Sequence, residues 1–427
     1  MAQAFWQASL HYAAIYFDGF AVGAHYLGDG GSCGGGLMKN FTPELLSLKD
    51  AGLYRRLVQS QAAGRFVERG GEIFVNLASN DYLGLSSNTA LQREFLERIL
   101  SENGGRFLMG STSSRLLGGN NGAFCQLEDF LARAYSAHSP EQKKCLAFNS
   151  GYHANSGILS ALATSKDLIL CDRLIHASLV DCLRLSSAKW MRFRHNDMAH
   201  LRQILKKNRG EYESVYIVTE SVFSMDGDIA DIAEIVKIKR EFDAALYVDE
   251  AHAVGVFGKY GLGVCQELGV LGEVDFLMGT LGKAIASEGA FLICSENVRE
   301  MLVNKCRTLI FTTAISPIAA MWSKFAFEKA MGMDSERSHL RRISGVLRNR
   351  LSSLKTLGST QIVPVVLGEN SAATSVSERL LKQKIWAGAV RYPTVPKGEA
   401  RLRLSLNADM PRELVEDVAD KILECAQ

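Results

Sequence analysis

Several things are missing from this sequence of 427 residues. No Cys-x-x-Cys pair occurs among its nine cysteines, which lie scattered. That spacing offers neither a zinc ribbon nor a disulfide frame and fits reduced thiols in the cytoplasm. No Lys or Arg precedes Lys39, so the basic start of a secretory signal is absent. A membrane span would need roughly 20 uncharged apolar residues. The apolar stretch from Ala4 to Leu27 is broken by His11, Asp18 and His25. The net charge is only +2, which gives no reason to expect nucleic acid or an anionic membrane as a partner. Neither the dinucleotide fingerprint GxGxxG nor the phosphate loop GxxxxGK[ST] is present.

What remains is an ordinary globular composition, 47% hydrophobic and 22% charged. The run Gly28-Asp29-Gly30-Gly31-Ser32-Cys33-Gly34-Gly35-Gly36 reads as a flexible linker. Residues 1–37 are therefore expected to be an extension outside the fold. Residues 38–90 are expected to form an N-terminal arm that is helical from Phe41 to Gly64, 91–328 a large domain, and 329–427 a smaller C-terminal domain.

From Lys144 onward, short apolar strands alternate with helical stretches, which predicts an α/β fold with a mostly parallel central sheet. Glu128 and Arg133 are expected on the polar face of a helix over 124–135. Residues that can carry chemistry fall just after the strands: Gly151, His176, Ser224, Asp249 and Thr280. Open α/β sheets bind ligands along that edge. Ser150-Gly151 opens a helix after a strand, which suits an anion, and Tyr152 could cover a planar ring. A histidine placed like His176 also serves simply as a cap. Asn196-Asp197 is expected to cap the helix that follows it.

Lys283 stands beyond Thr280 among small residues. Most lysines are solvated surface charges, but one desolvated at a strand end has a lowered pKa and can form a Schiff base. Asp249 at the end of another strand could keep a pyridinium nitrogen protonated, the pairing that pyridoxal phosphate (PLP) chemistry requires. Arg401 and Arg403, at period two on a strand, share a face that could hold a carboxylate, unless structural acids take one of them.

Taken together, Asn80-Asp81-Tyr82-Leu83-Gly84-Leu85, Ser150-Gly151-Tyr152, His176-Ala177-Ser178, Val222 to Gly227, Val248-Asp249-Glu250-Ala251-His252 and Thr280 to Lys283 resemble the α-oxoamine synthases. These are a branch of the fold-type I PLP enzymes, with the aspartate-aminotransferase fold, and the resemblance runs from about residue 40 to the end. It implies PLP bound through Lys283, with Asp249 at the ring nitrogen, His176 stacked on the ring, and Ser224 and His252 near its hydroxyl. It implies a phosphate held by Gly151, Tyr152 and Thr280, and by Thr312 and Thr313 from a second subunit, hence a homodimer with shared sites. Arg403 would clamp the amino-acid carboxylate, and Arg55, Asn80, His176 and Thr394 match substrate-contacting positions.

The segments Ser113 to Asn120, Arg194 to Asp197 and Arg391 to Pro396 are similar to the 8-amino-7-oxononanoate synthase branch, which joins L-alanine to a pimeloyl thioester of CoA or acyl carrier protein. Glycine C-acetyltransferase is the alternative, since His252-Ala253-Val254-Gly255 suits it equally. A non-catalytic partner subunit is opposed by the joint presence of Lys283, Asp249, His176 and His252. Two positions depart from the pattern: Phe124 where a histidine is common, and Glu288 where small or apolar residues are usual. A chain begun at Met38 is expected to keep full activity; an assay in which it is inactive would refute the reading of residues 1–37 as outside the fold.

Overall fold

The computed structural model describes residues 39–102 and 107–427, so the expectation for 1–37 lies outside the described residues. The chain divides into two units, Met1–Arg55 and Arg56–Gln427. In the first, among the described residues, a helix runs over Thr42–Asp50. It ends where Gly52 takes φ +65°, with Gly52 N–H donating to Lys49 O and Leu53 N–H to Leu48 O. A left-handed glycine with such bonds is an ordinary helix stop, so the helix expected to reach Gly64 is shorter. Gly64 instead, at φ +61°, turns the hairpin between β1 (Gln61–Ala63) and β2 (Phe66–Arg69). β3 (Glu72–Asn76) continues this antiparallel set.

The second unit is built on a seven-stranded sheet of β4 (Lys144–Phe148), β5 (Leu168–Asp172), β6 (Lys189–Phe193), β7 (Val215–Glu220), β8 (Ala245–Asp249), β9 (Phe276–Thr280) and β10 (Ala290–Cys294). Its order is β4-β10-β9-β8-β7-β5-β6. Neighbours from β9 through β6 pair in parallel, while β10 runs antiparallel to both β4 and β9. Every residue of β5, β9 and β10 is buried, as expected of strands covered on both faces. The reversed strand has a geometric effect. Ala290 pairs with both Phe148 and Thr280, so the carboxyl ends of β4 and β9 lie level on either side of it.

A three-stranded antiparallel sheet comprises β11 (Ile362–Gly368), β13 (Gly388–Val390) and β14 (Ala400–Ser405) in the order β11-β14-β13. β12 (Ile385–Trp386), just before β13, instead joins the β1-β2-β3 set by pairing in parallel with β3. Leu77 accepts from Ser405 N–H and donates to Trp386 O, each at 2.9 Å. Residues 61–77 are thus joined by backbone hydrogen bonds to the last hundred residues. Helix starts carry the expected caps: Ser150 accepts from His153 N–H, and Asp197 from His200 N–H.

Glu128 differs from expectation. It is 5% exposed, because Arg115 Nη1 lies 2.6 Å from one carboxylate oxygen and Ala147 N–H donates to that same oxygen at 2.7 Å. The Arg115 guanidinium also stands 4.9 Å over the Phe124 ring, so the unusual phenylalanine is a buried platform for this pair. Arg115 opens a π-helical turn, Arg115–Gly119, inside what reads in sequence as loop. Among the described residues no helix is long and apolar enough to cross a membrane.

Replacing Glu128 by alanine strands a buried guanidinium and is expected to cost about 3–5 kcal/mol in urea unfolding. Lys166→Ala, in an exposed pair with Glu213, is expected to leave the urea midpoint unchanged.

Candidate active site

The carboxyl ends of β4, β5, β7, β8 and β9 form one edge, and the polar residues of interest gather there. Beyond β9, Lys283 Nζ lies 2.9 Å from His252 Nε2. Burial lowers the Lys283 pKa to about 8, against the pull of Asp249 and Glu220 and helped by Arg403. Burial also pushes His252 well below the usual imidazole range, with Lys283, Arg403 and His176 adding to the effect. A neutral imidazole therefore faces an amine that is easily deprotonated.

Asp249, the last residue of β8, is 4% exposed and fully engaged. One oxygen accepts from Asn155 Nδ2 at 2.8 Å and the other from Ala251 N–H at 2.8 Å. Asn155 also donates to Ser178 Oγ at 3.0 Å and accepts from the Tyr247 hydroxyl at 2.7 Å. Ser178 Oγ lies 2.8 Å from His176 Nδ1. A chain of hydrogen bonds thus links Asp249 to His176, which caps its helix as well. Burial lowers the His176 pKa, opposed by Asp249 and aided by Lys283.

Glu220 is a residue the sequence reading missed. It ends β7, pairs in register with Asp249 and is 3% exposed, and its Oε1 has no hydrogen-bond partner. Burial, reinforced by Asp249, pushes its carboxyl well up. Asn155 and Tyr82 were missed too. The signal for Asn155 was a polar residue inside an otherwise Ala/Leu helix. Tyr82 lay inside a quoted motif, but nothing in the sequence gives its partner.

At the start of the helix Gly151–Leu162, the Ser150 cap and the first-turn N–H groups make an anion corner. A Cβ on Gly151 would stand 3.9 Å from Thr280 Oγ1, so Thr280 borders this corner. Thr280 Oγ1 itself donates to Gly289 O at 3.2 Å and accepts from Gly282 N–H at 3.3 Å. Thr312 and Thr313 adjoin it within the same chain, Asn149 Nδ2 donating to Thr313 O at 2.6 Å. Tyr152 is half exposed and donates its hydroxyl to Asp181.

Across the site, Arg403 donates to Ser224 O at 2.6 Å, Ser405 Oγ at 2.7 Å and Asn80 Oδ1 at 3.1 Å. Tyr82, wholly buried, donates to Asn80 Oδ1 at 3.1 Å and lies 2.7 Å from His252 Nδ1, so the arginine and the lysine are joined through Asn80, Tyr82 and His252. Arg401 takes the structural role left open for one of the two arginines: 1% exposed, it pairs with Asp226 at 2.8 Å and Glu399 at 3.1 Å. Thr394 sits in an exposed turn, its N–H donating to Arg391 O, and Glu288 is exposed. Arg55 belongs to the other unit.

An amine with a lowered pKa, a buried carboxylate, an anion corner and a guanidinium together suit a planar aldehyde bearing a phosphate, and a carboxylate substrate beside it. The aminotransferase class I and II profile matches residues 72–422. An 8-amino-7-oxononanoate synthase from Chlorobaculum parvum is 48% identical over 86% of this chain and 93% of its own. Among solved structures, a serine palmitoyltransferase variant from S. paucimobilis with a bound PLP–myriocin aldimine superposes with a TM-score of 0.81 at 26% identity, over 90% of this chain and 97% of that one. An 8-amino-7-oxononanoate synthase from Francisella tularensis gives 0.67 at 26% identity, over 82% and 97%. The chain belongs to the class I and II aminotransferase family, in its α-oxoamine synthase branch.

Proposed function

We propose that this protein is a PLP-dependent acyltransferase that condenses L-alanine with a pimeloyl thioester, releasing 8-amino-7-oxononanoate, CO2 and the free thiol, as a step of biotin biosynthesis. The observation that carries an amino-acid condensation is Arg403. All its side-chain hydrogen-bond partners among the described residues are neutral, so its charge is left for a carboxylate. The 48% identity to an 8-amino-7-oxononanoate synthase supports the choice of branch.

The residues present fit the cofactor. Lys283 would bind its aldehyde, Asp249 its ring nitrogen, His176 its ring face, and Ser224 and His252 its hydroxyl. Gly151, Tyr152 and Thr280 would hold its phosphate, joined by Thr312 and Thr313, which adjoin this corner within the chain, and the protein would act as a homodimer. When bound, PLP supplies an electron-poor ring that acidifies the substrate Cα–H. Asp249, oriented by the hydrogen bonds it accepts from Asn155 and the Ala251 N–H, would hold the proton on the ring nitrogen. Arg403, with Asn80, orients the substrate carboxylate, and Arg55 and Thr394 are the remaining substrate contacts proposed. Lys283 removes the Cα proton. The Cα–acyl bond then forms as the thiol leaves, the Cα–carboxylate bond breaks with loss of CO2, and a proton returns to Cα.

Because the Lys283 pKa falls to about 8 in the folded protein, uptake of PLP by the apoprotein should rise with pH with a midpoint near 8. Stopped-flow absorbance over pH 6–11 would read this, and a midpoint near the ordinary lysine value would reject the desolvated amine. Lys283→Ala should lose the visible band of lysine-bound PLP. Substrate choice is read by thiol release from pimeloyl-, acetyl-, succinyl- and palmitoyl-CoA and from pimeloyl-carrier protein, each with alanine, glycine and serine. Turnover is expected with alanine and a pimeloyl thioester. Turnover confined to acetyl-CoA with glycine would assign glycine C-acetyltransferase instead.

A further inference from the structure

His195 belongs to the segment Arg194-His195-Asn196-Asp197, for which the proposed chemistry has no use. It follows β6, the edge strand, and its ring is clamped between two carboxylates. Nδ1 lies 3.0 Å from Asp172 Oδ1, and Nε2 lies 2.9 Å from Asp228 Oδ2. Both partners only accept when ionised, so both ring nitrogens must donate, and the ring is an imidazolium. Burial opposes that charge, but hydrogen bonds to Asp172 and Asp228 outweigh it and raise the pKa to about 10. The ring also stands edge-on to Phe223, with centroids 4.5 Å apart at 89°.

The two carboxylates belong to different strand ends. Asp172 closes β5, is 1% exposed, and its Oδ1 also accepts from Leu174 N–H at 2.8 Å, fixing the turn that leads to His176. Asp228 lies in the turn after β7, where its carbonyl accepts from Phe223 N–H at 3.0 Å, one residue before Ser224. Asn196, at φ +50°, repeats the bridge: its N–H donates to Asp172 Oδ2 at 2.9 Å and its Nδ2 to Asp228 Oδ2 at 3.0 Å. Ser224 O is in turn the acceptor of Arg403 Nε.

We propose that His195 is a positioning residue, a charged pin that sets the spacing between the turn delivering His176 and the turn delivering Ser224 and so governs how tightly the cofactor is held. The second half of this statement rests on the PLP reading above; the first does not. A neutral side chain can donate to only one of the two carboxylates in this way, leaving the other with the neutral donors of Asn196 and, at Asp172, Leu174 N–H, and without a cation. The turns then lose their charged anchor and keep only the Asn196 bridge, while the strands beneath them keep their register.

The test uses full-length wild type, His195→Gln, His195→Gly and Asp228→Asn, the last removing one partner at a partly exposed position in case the His195 variants fold poorly. Nitrogen-15 NMR of histidine-labelled protein at pH 8 should show both His195 ring nitrogens protonated, whether or not PLP binds. The Kd for PLP, read by absorbance titration of the folded apoprotein, should rise at least tenfold in His195→Gln and at least threefold in Asp228→Asn. The KM for amino acid is expected to rise with it, while kcat at saturating cofactor stays within about threefold. Added imidazole should recover PLP affinity in His195→Gly but not in wild type. A neutral His195 at pH 8 would overturn the pin. PLP Kd values within twofold of wild type in both His195→Gln and Asp228→Asn, whatever their thermal midpoints, would overturn its control of the cofactor. Failure of wild type to bind PLP at all would instead refute the cofactor reading and leave the NMR arm to decide the pin.

Discussion

A lysine amine removed from water is the constraint on which the rest of the site depends. Transferring an ammonium into a protein interior costs several kcal/mol unless partners replace the water. Here that cost appears as a Lys283 pKa lowered to about 8 and not as an unfolded site, with Asp249 at the end of β8 pulling against the effect of burial. A second cation beside it would defeat this balance, and His252 is accordingly kept neutral. The two neighbouring carboxyls cannot both hold charge cheaply. Asn155 and the Ala251 N–H donate to the two oxygens of Asp249, whereas Glu220 keeps an oxygen without a partner and is pushed toward its neutral form by burial and by Asp249. Two adjacent strand-end carboxyls therefore meet different surroundings, one hydrogen-bonded on both oxygens and one with an oxygen left bare.

The sheet makes this economical. The reversed strand β10 inserts between β4 and β9 and sets the start of the Gly151 helix beside Thr280, although more than a hundred residues separate them in sequence. The anion corner therefore lies next to the amine, along the edge where open α/β sheets take their ligands.

Much of this was legible. Strand ends, helix caps and the small-residue turn at Ser150-Gly151 are local patterns, and Asp249, His176, Thr280 and Lys283 stand out because each interrupts or closes an apolar run. What was not legible was partnership. Glu128 looks like one more charge on a helix face until Arg115, Arg299 and the backbone of β4 are seen to surround it. Tyr82 reads as a buried aromatic, and only the fold brings its hydroxyl between His252 and Asn80. The helix expected to reach Gly64 failed for another reason: Gly52, well before it, takes the left-handed conformation that ends a helix. A single backbone angle overrode a run of good helix formers.

The two arginines of β14 show how far period alone can take an argument. Alternation puts Arg401 and Arg403 on one face, and both do reach the turn after β7, at Met225 and Asp226 for the first and at Ser224 for the second. Their difference lies in the charge of what they meet. Arg401, itself buried, is neutralised by the two partly exposed acids Asp226 and Glu399. Arg403 meets only a carbonyl, an amide oxygen and a hydroxyl, which orient its guanidinium without cancelling its charge. An arginine held in that way presents a preorganised fork to an incoming carboxylate, and its attachment to Asn80, and through Tyr82 to His252, fixes that fork relative to Lys283.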